Sequence, residues 1–264
     1  AMSEWAVDRM LFGRFFEHYG CNVYPGIYEQ YIINPSFEAY YWKRDDSPTP
    51  RKDIMPWLVF PAIQETQGIA YPWEPYNSEK AMYELCPDSF NSEVSQRIIG
   101  TSANAPQYVG VKQRLALPDY RTGKYTLRFY AKSPINSQKI RVSIEDHQKE
   151  RTLDSTEIKL SGAWTLYTIH LDIGTHRASA RQANRHGIYD LIVSFQGKGD
   201  VYLDQMTLFP TDAIEGVWNP ETIENLKEAG ITIIRWPGGN FASGYHWQDG
   251  IGTIEKRATR PNLA

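Results

Sequence analysis

The sequence predicts a mainly β protein in which a two-sheet sandwich is inserted between two pieces of a parallel α/β barrel pattern. Three observations predict it. Residues 36–210 hold a series of short runs in which apolar and polar residues alternate, with turn signals between them. Residues 211–264 switch to a capped helix followed by a short β-branched run and a Gly-rich turn. Residues 1–35 hold one more compact strand-like run, so the all-β block interrupts an α/β pattern. Insertion of this kind is tolerated at exposed loop tips and costs the host fold little.

The first element is Leu11-Phe12-Gly13-Arg14-Phe15-Phe16-Glu17-His18, a strand-like run ending in a charged pair, after which Tyr24-Pro25-Gly26 supplies a turn. In the middle block, Tyr125-Thr126-Leu127-Arg128-Phe129-Tyr130-Ala131 alternates, as do Ile140-Arg141-Val142-Ser143-Ile144 and residues 164–171. Residues 189–195 and Val201-Tyr202-Leu203-Asp204-Gln205-Met206-Thr207-Leu208 complete the set. Arg121-Thr122-Gly123-Lys124 and Gly197-Lys198-Gly199-Asp200 read as turns between strands.

The last segment predicts a helix from Pro220 to Ala229. Asn219 is its N-cap, Pro220 its first helical residue, acids fill the first turn and Gly230 is the stop. Ile231-Thr232-Ile233-Ile234 then reads as a buried strand, which Arg235-Trp236-Pro237-Gly238-Gly239-Asn240-Phe241 ends abruptly. Ligands of parallel barrels collect at the C-terminal strand ends, which is where Gly239 and Asn240 fall.

Composition excludes several classes. With a net charge of −3 and no basic run, nothing points to nucleic acid or an anionic membrane surface. No apolar run reaches transmembrane length, and the start lacks a charged-then-apolar leader pattern. Ala1-Met2 reads as a processed end or a cloning remnant, which leaves the compartment open: secreted or periplasmic if a leader was removed, otherwise cytoplasmic. Cys21 and Cys86 are far apart and read as two free thiols. His170, His176 and His186 lack metal-ligand spacing.

Phe12-Gly13-Arg14-Phe15-Phe16-Glu17-His18 with Gly26-Ile27-Tyr28-Glu29, together with residues 235–241 and Gly244-Tyr245-His246-Trp247-Gln248-Asp249-Gly250-Ile251-Gly252, resemble the start of family 51 glycoside hydrolases, the retaining α-L-arabinofuranosidases. The resemblance covers residues 11–35 and 215–264. The middle resembles carbohydrate-binding modules of the family 4/9 type, with Asn34-Pro35-Ser36-Phe37-Glu38 as the opening strand and residues 201–206 as the closing one. The implied fold is a jelly-roll-like β-sandwich inserted between the first strand and first helix of a truncated (β/α)8 barrel. The implied domains are 1–35, first barrel strand and loop; 36–210, sandwich; and 211–264, first helix and second strand.

By position in the family, Glu17 resembles the first-strand glutamate that bonds the arabinofuranose in the −1 subsite, and Asn240 the asparagine that contacts the same sugar. A carboxylate accepts from two hydroxyls, an asparagine both donates and accepts, and the Gly238-Gly239 backbone permits close approach. The plain alternative is that Glu17 pairs with Arg14 or Arg235. A retaining glycosidase needs two carboxylates about 5 Å apart. The family places its acid/base on the fourth strand and its nucleophile on the seventh, so neither is expected within these residues and the chain is expected to be inactive alone. No catalytic cofactor is implied.

Within the sandwich, Glu38 and Asp204 fall on strands that share a structural calcium in such modules, and carboxylates are hard-oxygen ligands; ordinary surface acids are the alternative. Trp57, Tyr71, Trp73 and Tyr76 form the densest aromatic stretch and are candidates for packing against sugar rings, or else a satellite core under a loop or a contact against the barrel. The implied partners are a plant cell-wall polysaccharide or arabino-oligosaccharide, and the rest of the barrel or another copy of the chain. A stand-alone binding or docking module, a purely structural spacer, and a relative with endoglucanase specificity are the other readings.

Overall fold

The computed structural model describes residues 6–17, 23–39, 67–102, 107–118, 120–174, 187–239 and 241–259. The chain begins with β1 (Gly13–Phe15) and then enters the sandwich, whose strands are β2 (Glu74–Tyr76), β3 (Ala81–Cys86), β4 (Ser95–Gly100), β5 (Tyr108–Leu117) and β6 (Lys124–Lys132), followed by β7 (Lys139–Asp146), β8 (Arg151–Lys159), β9 (Thr165–Asp172), β10 (Gly187–Gln196) and β11 (Gly199–Pro210). It leaves through α1 (Pro220–Glu228), β12 (Ile233–Arg235) and α2 (Phe241–Gly244). The fold is therefore mainly β, with the sandwich lying between the first strand and the first helix.

Two antiparallel five-stranded sheets face each other, one in the order β2-β5-β10-β7-β8 and the other β3-β4-β11-β6-β9. Alternation decides which side chains meet between them. Tyr125, Leu127, Phe129 and Ala131 of β6 and Tyr189, Leu191, Val193 and Phe195 of β10 all point into one core. In β11 the phase slips. Val201 and Leu203 are in the core, and so are Met206 and Leu208, because a bulge between Asp204 and Thr207 absorbs one residue. Gln205, at φ 48°, is the residue that takes the strained backbone there.

Tyr31 and Ile32 also lie in the sandwich core, upstream of the boundary expected at residue 36. Their backbone is tied down by Tyr31 N–H donating to the Leu208 carbonyl (3.2 Å) and by Gln30, whose Oε1 accepts from Leu208 N–H (2.8 Å). A segment that supplies two core side chains and pairs with β11 packs as part of the sandwich, whatever its sequence similarity.

The α/β pieces meet as expected. β1 and β12 run parallel with Gly13 opposite Ile233 and Phe15 opposite Arg235. Asn219 caps α1, its Oδ1 accepting from Thr222 N–H at 2.8 Å. Ile223 and Leu226 of α1 pack on a small cluster of Phe16, Val23 and Ile27. The run predicted as a buried strand is exposed instead: Ile233 and Ile234, like Phe15 opposite, keep about half of their surface in solvent. Two strands and one helix have too little partner surface to cover both faces of the pair.

Candidate functional site

At the C-terminal ends of β1 and β12 the two strands are stitched beyond the formal ladder. Phe16 N–H donates to the Arg235 carbonyl (3.0 Å), and Gly238 N–H donates to the Phe16 carbonyl (2.5 Å). Gly239 follows at φ +57°, a conformation that favours glycine. The Glu17 carboxylate occupies the space that a Cβ at Gly239 would need, so the two predicted residues are in direct contact. Arg14 lies over the Phe16 ring and Arg235 over the Phe15 ring, 5.6 and 5.4 Å from the centroids. Trp236 stacks on Phe16, and its bond to Pro237 is cis. The corner thus presents a carboxylate above a bare glycine backbone, a combination suited to receiving a polyol. Asn240 lies outside the described residues, as does Trp57.

The aromatic stretch behaves differently from the expectation of exposed sugar platforms. Trp73 is only 2% exposed, stacks on Phe37 (4.8 Å between centroids) and donates from Nε1 to the Asn34 carbonyl (3.3 Å). It is a core residue and offers no ring face to a ligand. The reason is the turn: Trp73 N–H returns to the Ala70 carbonyl (2.8 Å), and the chain runs straight into β2. A bulky indole at that point repays burial more than exposure. Tyr71 is half-buried, and its carbonyl accepts from Asn34 Nδ2 at 2.7 Å.

Glu38 and Asp204 are both buried and come together beneath the 87–94 loop. Asp204 Oδ2 accepts from Phe90 N–H (2.8 Å) and Asn91 N–H (3.1 Å), and its Oδ1 from Gln205 N–H (2.7 Å). Glu38 Oε1 accepts from Glu93 N–H (3.1 Å), whereas Oε2 has no hydrogen-bond partner among the described residues. Burial pushes both carboxyls up to about 7, and the Glu38 charge adds to the effect on Asp204. An orphaned carboxylate oxygen beside a second carboxylate fits two ligands of a hard cation. Among the described residues no cluster of three His, Cys, Asp or Glu forms, so further ligands would be carbonyls or water.

Of one surface the sequence showed only Tyr76. On the outward face of the β2-β5-β10-β7-β8 sheet, one cross-strand row runs Tyr76, Gly110, Ser194, Arg141, Glu157. The next row carries Lys112 of β5, Ile192 of β10 and Ser143 of β7. Ser143 and Ser194 point away from the core yet are nearly inaccessible, because larger neighbours rise on both sides. The result is a trough floored by Gly110, Ser143, Ser194 and Ile192, with walls that include Tyr76, Tyr108 and Arg141. The signal was present in the alternation, since the polar phase of β7 and β10 defines this floor, but which outward residues are small at the centre depends on strand order. Farther along, Asp190 is held between Arg114 Nε (3.1 Å) and His147 Nδ1 (2.9 Å).

Polar contacts in two regions join the sandwich to the α/β corner. Glu29 binds Arg121 of the sandwich and also accepts from Nδ2 of Asn219, the α1 cap (2.8 Å). After β12, the segment at 252–259 returns to the sandwich. Asn91 Nδ2 donates to the Arg257 carbonyl (2.8 Å), Thr259 N–H donates to Ser92 Oγ (2.9 Å), and Arg128 pairs with Glu255 (2.8 Å).

The fold and the corner define a class: a β-sandwich set between the strand and the helix of a small parallel α/β unit, with a carboxylate at the strand ends. No protein-family model matches the chain. A segment of 50 residues is 50% identical to a probable α-L-arabinofuranosidase C of Aspergillus niger, covering 19% of this chain and 10% of that protein. A segment of 53 residues is 49% identical to an exo-α-(1→6)-L-arabinofuranosidase of Bifidobacterium longum, covering 20% and 10%. The crystal structure of an arabinose-bound family 51 α-L-arabinofuranosidase superposes on 93% of this chain and 38% of its own, with a TM-score of 0.63 and 17% identity. The chain therefore resembles family 51 arabinofuranosidases both in that segment and in fold, while matching about a tenth of the length of the curated relatives.

Proposed function

We propose that this chain is the N-terminal part of a retaining α-L-arabinofuranosidase acting on arabinose-containing plant polysaccharides. Glu17 and Gly239, with Asn240, form one half of the −1 subsite. The observation that carries this reading is the Glu17 carboxylate seated on the Gly239 backbone at the C-terminal end of paired parallel strands. Glu17 accepts from sugar hydroxyls, and the bare glycine lets the ring approach. The acid/base and nucleophilic carboxylates belong to later barrel strands, which cover the exposed β1–β12 pair. The test is hydrolysis of an aryl α-L-arabinofuranoside by the purified chain, alone and with the remaining barrel supplied. No turnover alone and activity with the complement are expected; turnover by the chain alone overturns it.

A second reading concerns the sandwich, which has its own closed core and its own surface trough. It serves as a carbohydrate-binding module whose ligand, an arabino-oligosaccharide or cell-wall polysaccharide, lies along the trough against Tyr76 and Tyr108 rather than against Trp73. Glu38 and Asp204 contribute two ligands to a structural Ca²⁺ beneath the 87–94 loop. Polysaccharide retardation in affinity electrophoresis tests the first claim. A rise in melting temperature with Ca²⁺, reversed by chelation, tests the second.

A further inference from the structure

The trough ends in an open cleft of about 430 Å³ whose lining includes Tyr108, Asn136, Lys139, Arg141 and Glu157. Arg141 sits over the Tyr108 ring, its guanidinium carbon 5.4 Å from the centroid. Its cross-strand neighbour is Glu157, the natural carboxylate to neutralise it. That carboxylate is engaged elsewhere: Glu157 Oε1 accepts from the Tyr108 hydroxyl (3.3 Å), and Oε2 lies 3.9 Å from Lys139 Nζ. Glu145, the other acid on this side of β7, accepts from the Thr152 hydroxyl (3.0 Å). On this sheet Lys112 pairs with Glu74 and Arg114 with Asp190, and in the turn after β7 Lys149 pairs with Asp146, whereas Arg151 and Lys159 of β8 have no ion pair among the described residues. Arg141 has no carboxylate within 4 Å among the described residues.

A guanidinium held near an aromatic ring is attracted by the ring and still has N–H donors to spare for a second partner. Those donors match a carboxylate bidentately, and a half-buried site strengthens the pairing. Lys139 adds a second positive charge at the same end, so the cleft, with Glu157 counted, is net positive. We propose that this end of the trough binds a carboxylate-bearing sugar, a uronic acid unit of an acidic oligosaccharide, with Arg141 as the carboxylate receptor and Asn136 and Glu157 placed for ring hydroxyls. The inference rests on the carbohydrate-binding reading of the sandwich.

The test is affinity electrophoresis and calorimetry of the whole chain on matched probes: glucuronoxylan and oligogalacturonate, each beside its carboxyl-reduced form, with neutral arabinan and galactan alongside. The acidic member of a pair is expected to bind about tenfold more tightly than its reduced form, with a preference that fades as salt is raised. Arg141→Gln, an outward-facing change checked for folding by its melting temperature, is expected to abolish the difference in affinity between each acidic probe and its reduced form. Equal binding of acidic and reduced forms overturns the uronic acid assignment and leaves the carbohydrate-binding reading standing. Retention of no probe overturns both, and a preference that survives Arg141→Gln overturns the role of Arg141.

Discussion

Glu29 and Arg121 meet in a bidentate ion pair, Nη1 to Oε1 at 2.6 Å and Nη2 to Oε2 at 2.9 Å, with the Glu29 side chain wholly inaccessible to solvent. Asp212 takes the outer edge of the same guanidinium, and Tyr31 and Asn219 complete the glutamate's partners. Because Asn219 also caps α1, one buried carboxylate couples the sandwich to the helix that follows it. Both the sandwich turn and the helix cap are oriented by this contact, so it sets how the module is carried on the α/β corner.

Breaking one partner of a buried, fully bonded pair leaves an uncompensated charge, which costs about 3–5 kcal/mol. Arg121→Met is therefore expected to lower the unfolding free energy by that amount in urea denaturation, and Glu29→Gln by less, because the amide still accepts from Asn219. A loss below about 0.5 kcal/mol for Arg121→Met would show that the joint is not a stabilising contact.

Trp73 is expected to matter for stability and not for ligand. Trp73→Ala removes a fully buried indole stacked on Phe37 and should cost about 3–5 kcal/mol. Titration with oligosaccharide should leave the Trp73 contribution to fluorescence unquenched. A ligand-dependent quench that disappears in Trp73→Phe would contradict its place in the core.

Glu38 and Asp204 set a pH dependence whose sign follows from their raised values. Each carboxyl titrates near 7 in the folded chain and near the ordinary carboxylate range when unfolded, so the native state holds more protons between about pH 4 and 7. Their contribution to stability is complete at the acid end of that window and is lost as pH rises through about 7. Melting temperature should fall across this range in metal-free buffer. The fall should flatten in the Glu38→Gln, Asp204→Asn double variant, and Ca²⁺ should offset it at neutral pH by binding the ionised pair. A melting temperature that rises steadily from pH 4.5 to 7.5 without metal would refute the assignment.

Gly239→Ala should be costly for two reasons that add: a left-handed backbone and a Cβ placed where the Glu17 carboxylate sits. A loss of about 1–3 kcal/mol is expected. Glu17→Ala should relieve part of it, so the double variant is expected to lose less than the sum of the singles. Strict additivity would separate the two residues.

Much of the fold was legible because its signals are local. The period-2 runs at 125–131 and 189–195 named their own inward faces, and Asn219, Pro220 and Gly230 bounded α1, since capping and alternation are properties of a few adjacent residues. Glu17 and Gly239 were legible as neighbours only through their motifs, and the parallel register of β1 on β12 then brought them into contact. Trp73 misled because a proline-flanked aromatic segment reads the same whether its ring faces solvent or Phe37. The exposure of Ile233 and Ile234 was equally illegible, because a β-branched run reports that it prefers burial and not whether a cover is present.

The sequence by itself determined β6, β7, β9, β10, β11 and α1, the insertion of the sandwich and the residue types at the α/β corner, because these depend on chemistry within a few positions, whereas β2, β3, β4, β5 and β8 show only in the structure. Only the tertiary structure decided the joining of Glu29 to Arg121 and the trough that places Arg141 beside Tyr108. Each of these depends on which strands become neighbours. Strand order is set by the summed burial of the whole core, a quantity that no local stretch of sequence carries.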